Sequence, residues 1–307
     1  GVGGPPTAAA GDTVPTAYAA AFARVQDELR AGNTYEVNLT YRLTEMSGTG
    51  ATTPPTETSG EGATSDPAAL YLRLRELNPA PYAGFLQHDV STVPGARAWL
   101  LSSSPERYAL ITGNRTLETK PIKGTTPRGA DPEQDEHQRH VLATQSKYRA
   151  ENLMIVDLLR NDLAQVCEVG SVEVPHLMEV ESYATVHQLV STVRGRLRED
   201  VSSIAALRAL FPAGSMTGAP KLRTMQIIDS VEETSRGAYA GAFGWISSDG
   251  RADLGVVIRS LMTSDGARYV LGTGGGITVQ SNLQQEWDEA RLKAERLLSA
   301  VRSVTPR

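Results

Sequence analysis

Cysteine is almost missing from this chain of 307 residues. Cys167 stands alone, which excludes an internal disulfide and any cysteine-built zinc site. Histidine is scarce as well, with five in all, and His88, His137, His140 and His176 show no metal-ligand spacing with His187. Excess positive charge is lacking: a formal net charge of -5 argues against broad nucleic-acid binding, which calls for clustered basic residues. No apolar run approaches the ~20 residues that span a bilayer, and no charged-then-apolar segment opens the chain as a secretory signal would. Membrane and nucleic-acid partners are therefore not expected, and a soluble cytoplasmic protein is the default. With 40% apolar and 21% charged residues, the composition is that of a globular fold with room for one large or two ordinary domains.

The first fifteen residues, GVGGPPTAAAGDTVP, carry no starting methionine and no periodicity, as a linker or a cut end would. Residues 16–307 read as one compact unit. Residues 17–30 form an amphipathic helix pattern closed by Gly32 and Asn33. Residues 34–43 alternate Tyr35, Val37, Leu39 and Tyr41 against Glu36 and Asn38, the period of a strand. Residues 46–67, rich in Gly, Thr, Ser and Pro, predict a flexible surface loop, because they offer too little burial to offset the entropy of ordering. Beyond them come a helix over 68–78, strands near 83–88, 97–102, 107–112 and 115–119, and one long helix over 132–166. Strands over 169–174 and 187–198, helices over 202–210 and 219–233, a strand meander over 237–279 and a last helix over 284–302 complete the pattern. Strands outnumber helices and come in hairpin runs, so the class is α+β with mainly antiparallel sheet.

Several side chains stand where ordinary packing does not put them. Glu151 has Ile155 and Leu158 at i+4 and i+7 on its helix, and a carboxylate on an apolar stripe must be paired, protonated or bound to a cation. Glu286 and Glu289 share a face of the last helix; Lys293, four residues beyond Glu289, offers the plain alternative of a surface pair. Two carboxylate-bearing helices, with few sulfur or imidazole groups to hand, suit a hard cation such as Mg2+. GSMTGAPK (214–221) and GTGGGI (272–277) lack nucleotide-loop spacing, although glycine turns still present N–H groups to anions. Arg259 lies within the apolar stretch VVIRSL and needs an anionic partner. That partner is either an internal carboxylate or a small dianion held together with Lys221 and the two glycine turns. His187, at the start of an alternating strand, reads first as a satisfied core histidine. The run ETKPIKGTTPRGA (118–130), taken alone, reads as a turn carrying a solvated Lys123.

Eight motifs then carry a resemblance. NTYEVNLT, SSPERY, KPIKGTTPRG, AENLMIVDLLRNDL, EVESYATVHQLVSTVRG, FPAGSMTGAPK, RGAYAGAFGW and GTGGGIT followed by QQEWDEARLKA occur in this order. They resemble the chorismate-utilising enzymes, and within them component I of the aminodeoxychorismate synthases. The resemblance implies an anthranilate synthase component I-like fold of two large, mostly antiparallel sheets flanked by helices, with the active site in the cleft between them. It implies Mg2+ bridging the ring carboxylate of chorismate to Glu151 and Glu289, with Glu286 nearby holding the metal's waters. Arg259 and Tyr239, assisted by the backbone of Gly274, Gly275 and Gly276, would bind the side-chain carboxylate. Ser215 and Lys293 would line the same pocket, His187 would contact the ring region, and Glu106 would protonate the departing 4-hydroxyl.

Lys123 separates branches of the family: anthranilate synthases look like PIAGT here, and aminodeoxychorismate synthases look like PIKGT. The resemblance implies that Lys123 attacks ring carbon C2 as the 4-hydroxyl leaves, and that ammonia then adds at C4 and expels the lysine. Two displacements with allylic shift keep the amine at the carbon that lost its hydroxyl. The lysine must be neutral to attack, so its pKa is expected to be depressed by burial, the metal and cationic neighbours. Glu36 stands where isochorismate and salicylate synthases look to have a water-activating lysine, which argues against water as the nucleophile. Whether it positions ammonia or is a paired strand residue stays open. No Cys-His-Glu glutaminase triad is visible, so ammonia is expected from a glutaminase subunit or fused domain. The resemblance also implies a preceding N-terminal portion of the same component, and a product serving folate or an aminophenyl antibiotic precursor. The alternatives are an ortho-aminating enzyme, such as anthranilate or aminodeoxyisochorismate synthase, and an inactive structural fragment of a split or fused synthase.

Overall fold

The computed structural model describes residues 13–47, 66–89, 96–184 and 186–302. The expected flexible loop over 46–67 therefore lies largely outside the described residues, as does most of the expected linker. In chain order the helices are α1 (Thr16–Arg30), α2 (Pro67–Leu77), α3 (Pro132–Thr144), α4 (Ser146–Ala164), α5 (Ser203–Leu210), α6 (Lys221–Val231) and α7 (Leu283–Arg302). The strands are β1 (Glu36–Met46), β2 (Tyr82–Asp89), β3 (Arg97–Ser104), β4 (Arg107–Ile111), β5 (Thr116–Lys120), β6 (Ile122–Pro127) and β7 (Glu173–Ser182). They continue with β8 (Val186–Arg196), β9 (Gly218–Ala219), β10 (Ala242–Ile246), β11 (Ala252–Val256), β12 (Ser260–Thr263) and β13 (Arg268–Ile277).

These strands make two antiparallel sheets. One runs β2-β3-β12-β13-β1-β9; the other runs β10-β11-β4-β5-β8-β6, with β7 also pairing β8. The expected α+β class and two-sheet architecture are thus present. Each sheet buries one face under helices. Val37, Leu39, Tyr41 and Leu43 of β1 meet Tyr18 and Phe22 of α1, Ile227 of α6, and the stripe Trp287, Ala294, Leu297 and Val301 of α7. Ile155, Leu159 and Leu163 of α4 meet Leu117, Val193 and Leu254 of the second sheet. The opposite face of β1 is buried too: Glu36 and Asn38 are 1% and 7% exposed. A strand with an apolar face in the core and a polar face out of water must give that polar face partners. Among the described residues, no helix is long and apolar enough to cross a membrane.

Four sequence expectations change. The long helix over 132–166 is two helices, broken at Gln145, whose ψ of 124° is extended. No Pro or Gly marks that break; packing of both segments against β6 and β8 decides it. The strand expected over 169–174 is instead β7, which begins at Glu173. Its register shifts twice against β8, and Met178 has a φ of 56°, so its alternation is obscured in the sequence. The PIKGT stretch is not a solvated turn but strand β6. Its pairing with β8 slips between Ile122 and Thr125, and Gly124 has a φ of 91°. A bulge of this kind re-aims a side chain, and Lys123 is only 8% exposed. Finally, GTGGGI is the end of strand β13 rather than a turn leaving it, with Gly274, Gly275 and Gly276 paired to Thr40, Leu39 and Asn38.

Candidate active site

Two passages of the chain between the sheets frame the site. Residues 105–106 join β3 to β4, and residues 257–259 join β11 to β12. Backbone bonds tie the passages together: Val256 N–H donates to Glu106 O at 3.0 Å, and Ser103 N–H donates to Arg259 O at 3.1 Å. Arg259 therefore lies in the bend between two strands, not inside one. Its φ of 46° is left-handed, a conformation that costs about 1 kcal/mol or more for a non-glycine residue. Burial, and then Arg296, lower its pKa. Among the described residues no carboxylate pairs with its guanidinium. The internal partner that the sequence left open is thus not found among the described residues.

Lys123, from β6, meets Glu36, from β1, across the cleft. Its Nζ donates to Glu36 Oε1, while Glu36 Oε2 is buried with no hydrogen-bond partner among the described residues. Gly276 makes room for this pair: a Cβ there would lie 2.1 Å from Glu36 Oε1 and 3.0 Å from Lys123 Nζ. Burial pulls the Lys123 amine down, but Glu36, Glu151 and Glu106 outweigh it and hold the pKa above its ordinary value. The expected depression is therefore reversed in this geometry, because the neighbours are carboxylates rather than cations. Glu106 is 6% exposed and accepts from Ser215 Oγ at 2.6 Å. Burial raises it from 4.5 to about 7, against the opposing pulls of Ser215 and Lys123. A carboxyl group in that range is populated as an acid near neutrality.

Beside Lys123 lies an acidic cluster from α4 and α7. Glu151 is pushed up to about 7 by burial, with Lys123 pulling the other way, and its Oε1 is buried without a hydrogen bond. Glu286, 3% exposed, accepts from Ser281 Oγ at 2.8 Å and from Lys147 Nζ at 3.2 Å. Lys147 Nζ is also 3.9 Å from Glu151 Oε1. Sequence reasoning missed this lysine, although its i,i+4 spacing to Glu151 was there to be read. Glu289 pairs with Lys293 at 2.8 Å, the plain helix pair, and that pairing lowers its pKa. Among the described residues no group of three or more His, Cys, Asp or Glu side chains is assembled to hold a metal ion, because lysines stand among the carboxylates. The donors nevertheless suit a hard cation: all are oxygens, and Glu151 keeps one orphaned in the interior.

The remaining expected residues divide. Lys293 Nζ donates to Gly274 O at 3.0 Å, and the Gly275 Cα faces Glu286 and Lys293, whose Oε2 and Nζ would lie 3.4 and 3.7 Å from an added Cβ. Among the described residues β12 pairs β13 at Met262 and Val270 alone, and most of 271–277 is buried. Tyr239 lies flat on that strand: a Cβ at Gly272 would sit 2.3 Å from its ring, and burial raises its hydroxyl to about 12. Lys221 does not join the site. It bonds Asp162 Oδ2 at 2.6 Å and Leu210 O at 2.9 Å, because the carboxylate of Asp162, 2% exposed, needs a cation where α4 packs. His187, 1% exposed, has both ring nitrogens engaged, by Ser182 Oγ at 2.7 Å and by Asp135 Oδ1 at 3.0 Å. Asp135 in turn receives Arg128 Nε and Nη2 at 2.7 Å each. Opposite Thr126 of β6, His187 braces the Lys123 strand and matches the satisfied core histidine of the plain reading.

Residues 5–299 match the family described as chorismate binding enzyme. The chain is 54% identical over 238 residues to "Aminodeoxychorismate synthase" of Streptomyces pristinaespiralis, covering 78% of this chain and 32% of that protein. It is 40% identical over 285 residues to "Aminodeoxychorismate synthase component 1" of Escherichia coli, covering 92% of this chain and 57% of that one. The chain thus spans about a third to somewhat over half the length of these relatives. The crystal structure of anthranilate synthase component I from Streptococcus pneumoniae superposes with a TM-score of 0.76 at 31% identity, over 93% of this chain and 58% of that one. On the family match, over nearly its whole length, the chain belongs to the chorismate-binding enzymes.

Proposed function

We propose that this chain aminates chorismate at C4, giving 4-amino-4-deoxychorismate, as the aminating part of an aminodeoxychorismate synthase. Ammonia would come from a glutaminase subunit or fused domain. The observation that carries the reading is Lys123, a buried amine on a bulged strand, facing Glu106 and Glu151 and hydrogen-bonded to Glu36. Arg259, which has no carboxylate partner among the described residues, and Tyr239 on the glycine strand, assisted by the backbone of Gly274, Gly275 and Gly276, would receive the side-chain carboxylate of chorismate. Lys293 and Ser215 would line the same pocket. Glu106, held by Ser215 and raised to about 7, would donate its proton to the departing 4-hydroxyl while Lys123 forms a bond to C2. Ammonia then adds at C4, and the lysine leaves. His187 would position the Lys123 strand rather than touch the ring. Mg2+, when bound, would neutralise and anchor the ring carboxylate; Glu151 and Glu289 would hold it, with Glu286 beside them for its waters.

The similarity to an anthranilate synthase component I supports ortho-amination as the second reading. Incubating the purified chain with chorismate, Mg2+ and ammonium salt, then separating the products by chromatography, distinguishes the two. We expect the 4-amino product, and expect Lys123→Ala to lose it while still binding chorismate in equilibrium dialysis. Full retention of 4-amino product by Lys123→Ala overturns the nucleophile assignment, and an ortho-amino product overturns the reading itself.

A further inference from the structure

We propose that Glu36 is the proton acceptor for Lys123, taking the proton that the amine must shed before it attacks and returning it when the amine is expelled. This inference rests on the amination reading above. Its own support is geometric. A glutamate on a buried strand face, 1% exposed, has to be partnered, and its partner is the one amine that the reaction needs free. Three carboxylates face Lys123: Glu36 from β1, Glu151 from α4 and Glu106 from the passage between β3 and β4. Only Glu36 is hydrogen-bonded to it. Glu106 already receives Ser215 and has the opposite task of giving up a proton, and Glu151 belongs to the cluster with Lys147 and Glu286.

The second oxygen of Glu36 sharpens the point. Oε2 is buried and no donor among the described residues reaches it, so a proton arriving on this carboxyl displaces no other hydrogen bond from them. Transfer along the existing Lys123–Glu36 bond needs no solvent, which the burial of both groups would exclude. The absence of a side chain at Gly276 keeps the pair in register, since a Cβ would collide with Glu36 Oε1.

The protons balance. The ammonium–carboxylate pair becomes an amine and a carboxylic acid. The amine nitrogen bonds C2, both conjugated ring double bonds shift, the C4–O bond breaks, and Glu106 protonates the leaving oxygen to water. Ammonia then bonds C4, both double bonds shift back, the C2–N bond breaks, and Lys123 departs as a neutral amine that recovers its proton from Glu36. The ammonium formed at C4 gives one proton to Glu106, which restores the acid. The net change is chorismate and ammonia to the amino product and water.

Cyanic acid carbamylates neutral amines only, so the rate of its reaction with Lys123, divided by the cyanic acid concentration at each pH and followed by peptide mass spectrometry from about pH 6 to about pH 10, reports the charge on the amine in the substrate-free chain. The full chain, Glu36→Gln and Glu36→Asp would be compared, with thermal unfolding checking that each folds. Turnover would be followed over the same range with chorismate, Mg2+ and a fixed concentration of free ammonia. In Glu36→Gln the labelling of Lys123 should move to lower pH, about tenfold faster at a fixed pH, and kcat divided by the wild-type kcat should climb about tenfold per pH unit along that same curve, because the ionisation of Glu106 acts on both proteins and cancels in the ratio. The wild-type chain should turn over where Lys123 still resists labelling, with no rise that follows its labelling curve, and Glu36→Asp should resemble it. Unshifted labelling in Glu36→Gln, or a wild-type kcat that climbs with its own labelling curve, overturns the acceptor role while amination stands. Shifted labelling with no amination by the wild-type chain overturns the amination reading, and the acceptor role with it.

Discussion

Replacing Glu106 by glutamine should make the protein more stable and less active at the same time. The carboxyl group is 6% exposed, and its pKa is raised by burial from 4.5 to about 7. Between those two values the unfolded chain gives up the proton and the folded chain keeps it. Stability is therefore fully present below pH 4.5 and falls as pH rises, until the folded group has also ionised above about 7. At roughly 1.4 kcal/mol per pH unit, the loss amounts to about 3 kcal/mol. Glu106→Gln abolishes this titration and keeps an amide oxygen for Ser215 Oγ, so no hydrogen bond is forfeited. Urea denaturation followed by circular dichroism should show the variant more stable by about 3 kcal/mol near pH 8.5, with the gain vanishing near pH 4.5. Groups that titrate in both proteins cancel in the difference. Amination by the same preparation should fall by about 100-fold to 10,000-fold, the range for loss of a general acid. A variant no more stable than the wild type at the higher pH, or one with a gain independent of pH, would refute the reasoning. Glu106 would then be paying no desolvation cost, and its acid role would lose its physical basis.

Two further substitutions test assignments that the structure made or unmade. Arg259→Met removes a cation that has no anionic partner among the described residues, so the substrate-free protein should gain about 1–3 kcal/mol in thermal or chemical unfolding. Chorismate binding in equilibrium dialysis should weaken by about 10-fold to 100-fold through loss of a charged hydrogen-bonding group; unchanged binding would remove Arg259 from the carboxylate site. Lys221→Met strands the carboxylate of Asp162, 2% exposed, and should destabilise by about 3–5 kcal/mol with chorismate affinity unaltered. A lost affinity without lost stability would return Lys221 to the substrate pocket.

Local order in the sequence carried the elements with clean periods. Val37, Leu39, Tyr41 and Leu43 alternate into one core, and Trp287, Ala294, Leu297 and Val301 recur at helical spacing into the same one. Both patterns are visible because burial on one face leaves its period in the chain. The motifs also held residues that lie near one another in space: Lys123 with Glu106 and Glu151, and Glu286 and Lys293 with Gly275 of β13. What they could not carry were features set by partners far away in sequence. β6 looked like a turn because its strand character comes from pairing with β8, around a bulge at Lys123 and Gly124. The helix break at Gln145 has no Pro or Gly to announce it, and β7 hides its alternation behind two register shifts.

Charge was decided by tertiary structure alone. The sequence supplies carboxylates and lysines, but their pairing depends on which elements meet. Lys221 is drawn to Asp162 by the packing of α4, Lys147 stands among the carboxylates that would hold a metal, and Arg259, in a bend between sheets, has no carboxylate partner among the described residues. The same holds for Lys123. Its residue type and motif indicated an amine for chemistry, yet only the meeting of β1 and β6 placed Glu36 on it and reversed the expected direction of its pKa. A one-dimensional pattern records which groups are present and which way each strand face points. Electrostatic interaction falls with distance through space rather than along the chain, so the state of those groups is a property of the fold.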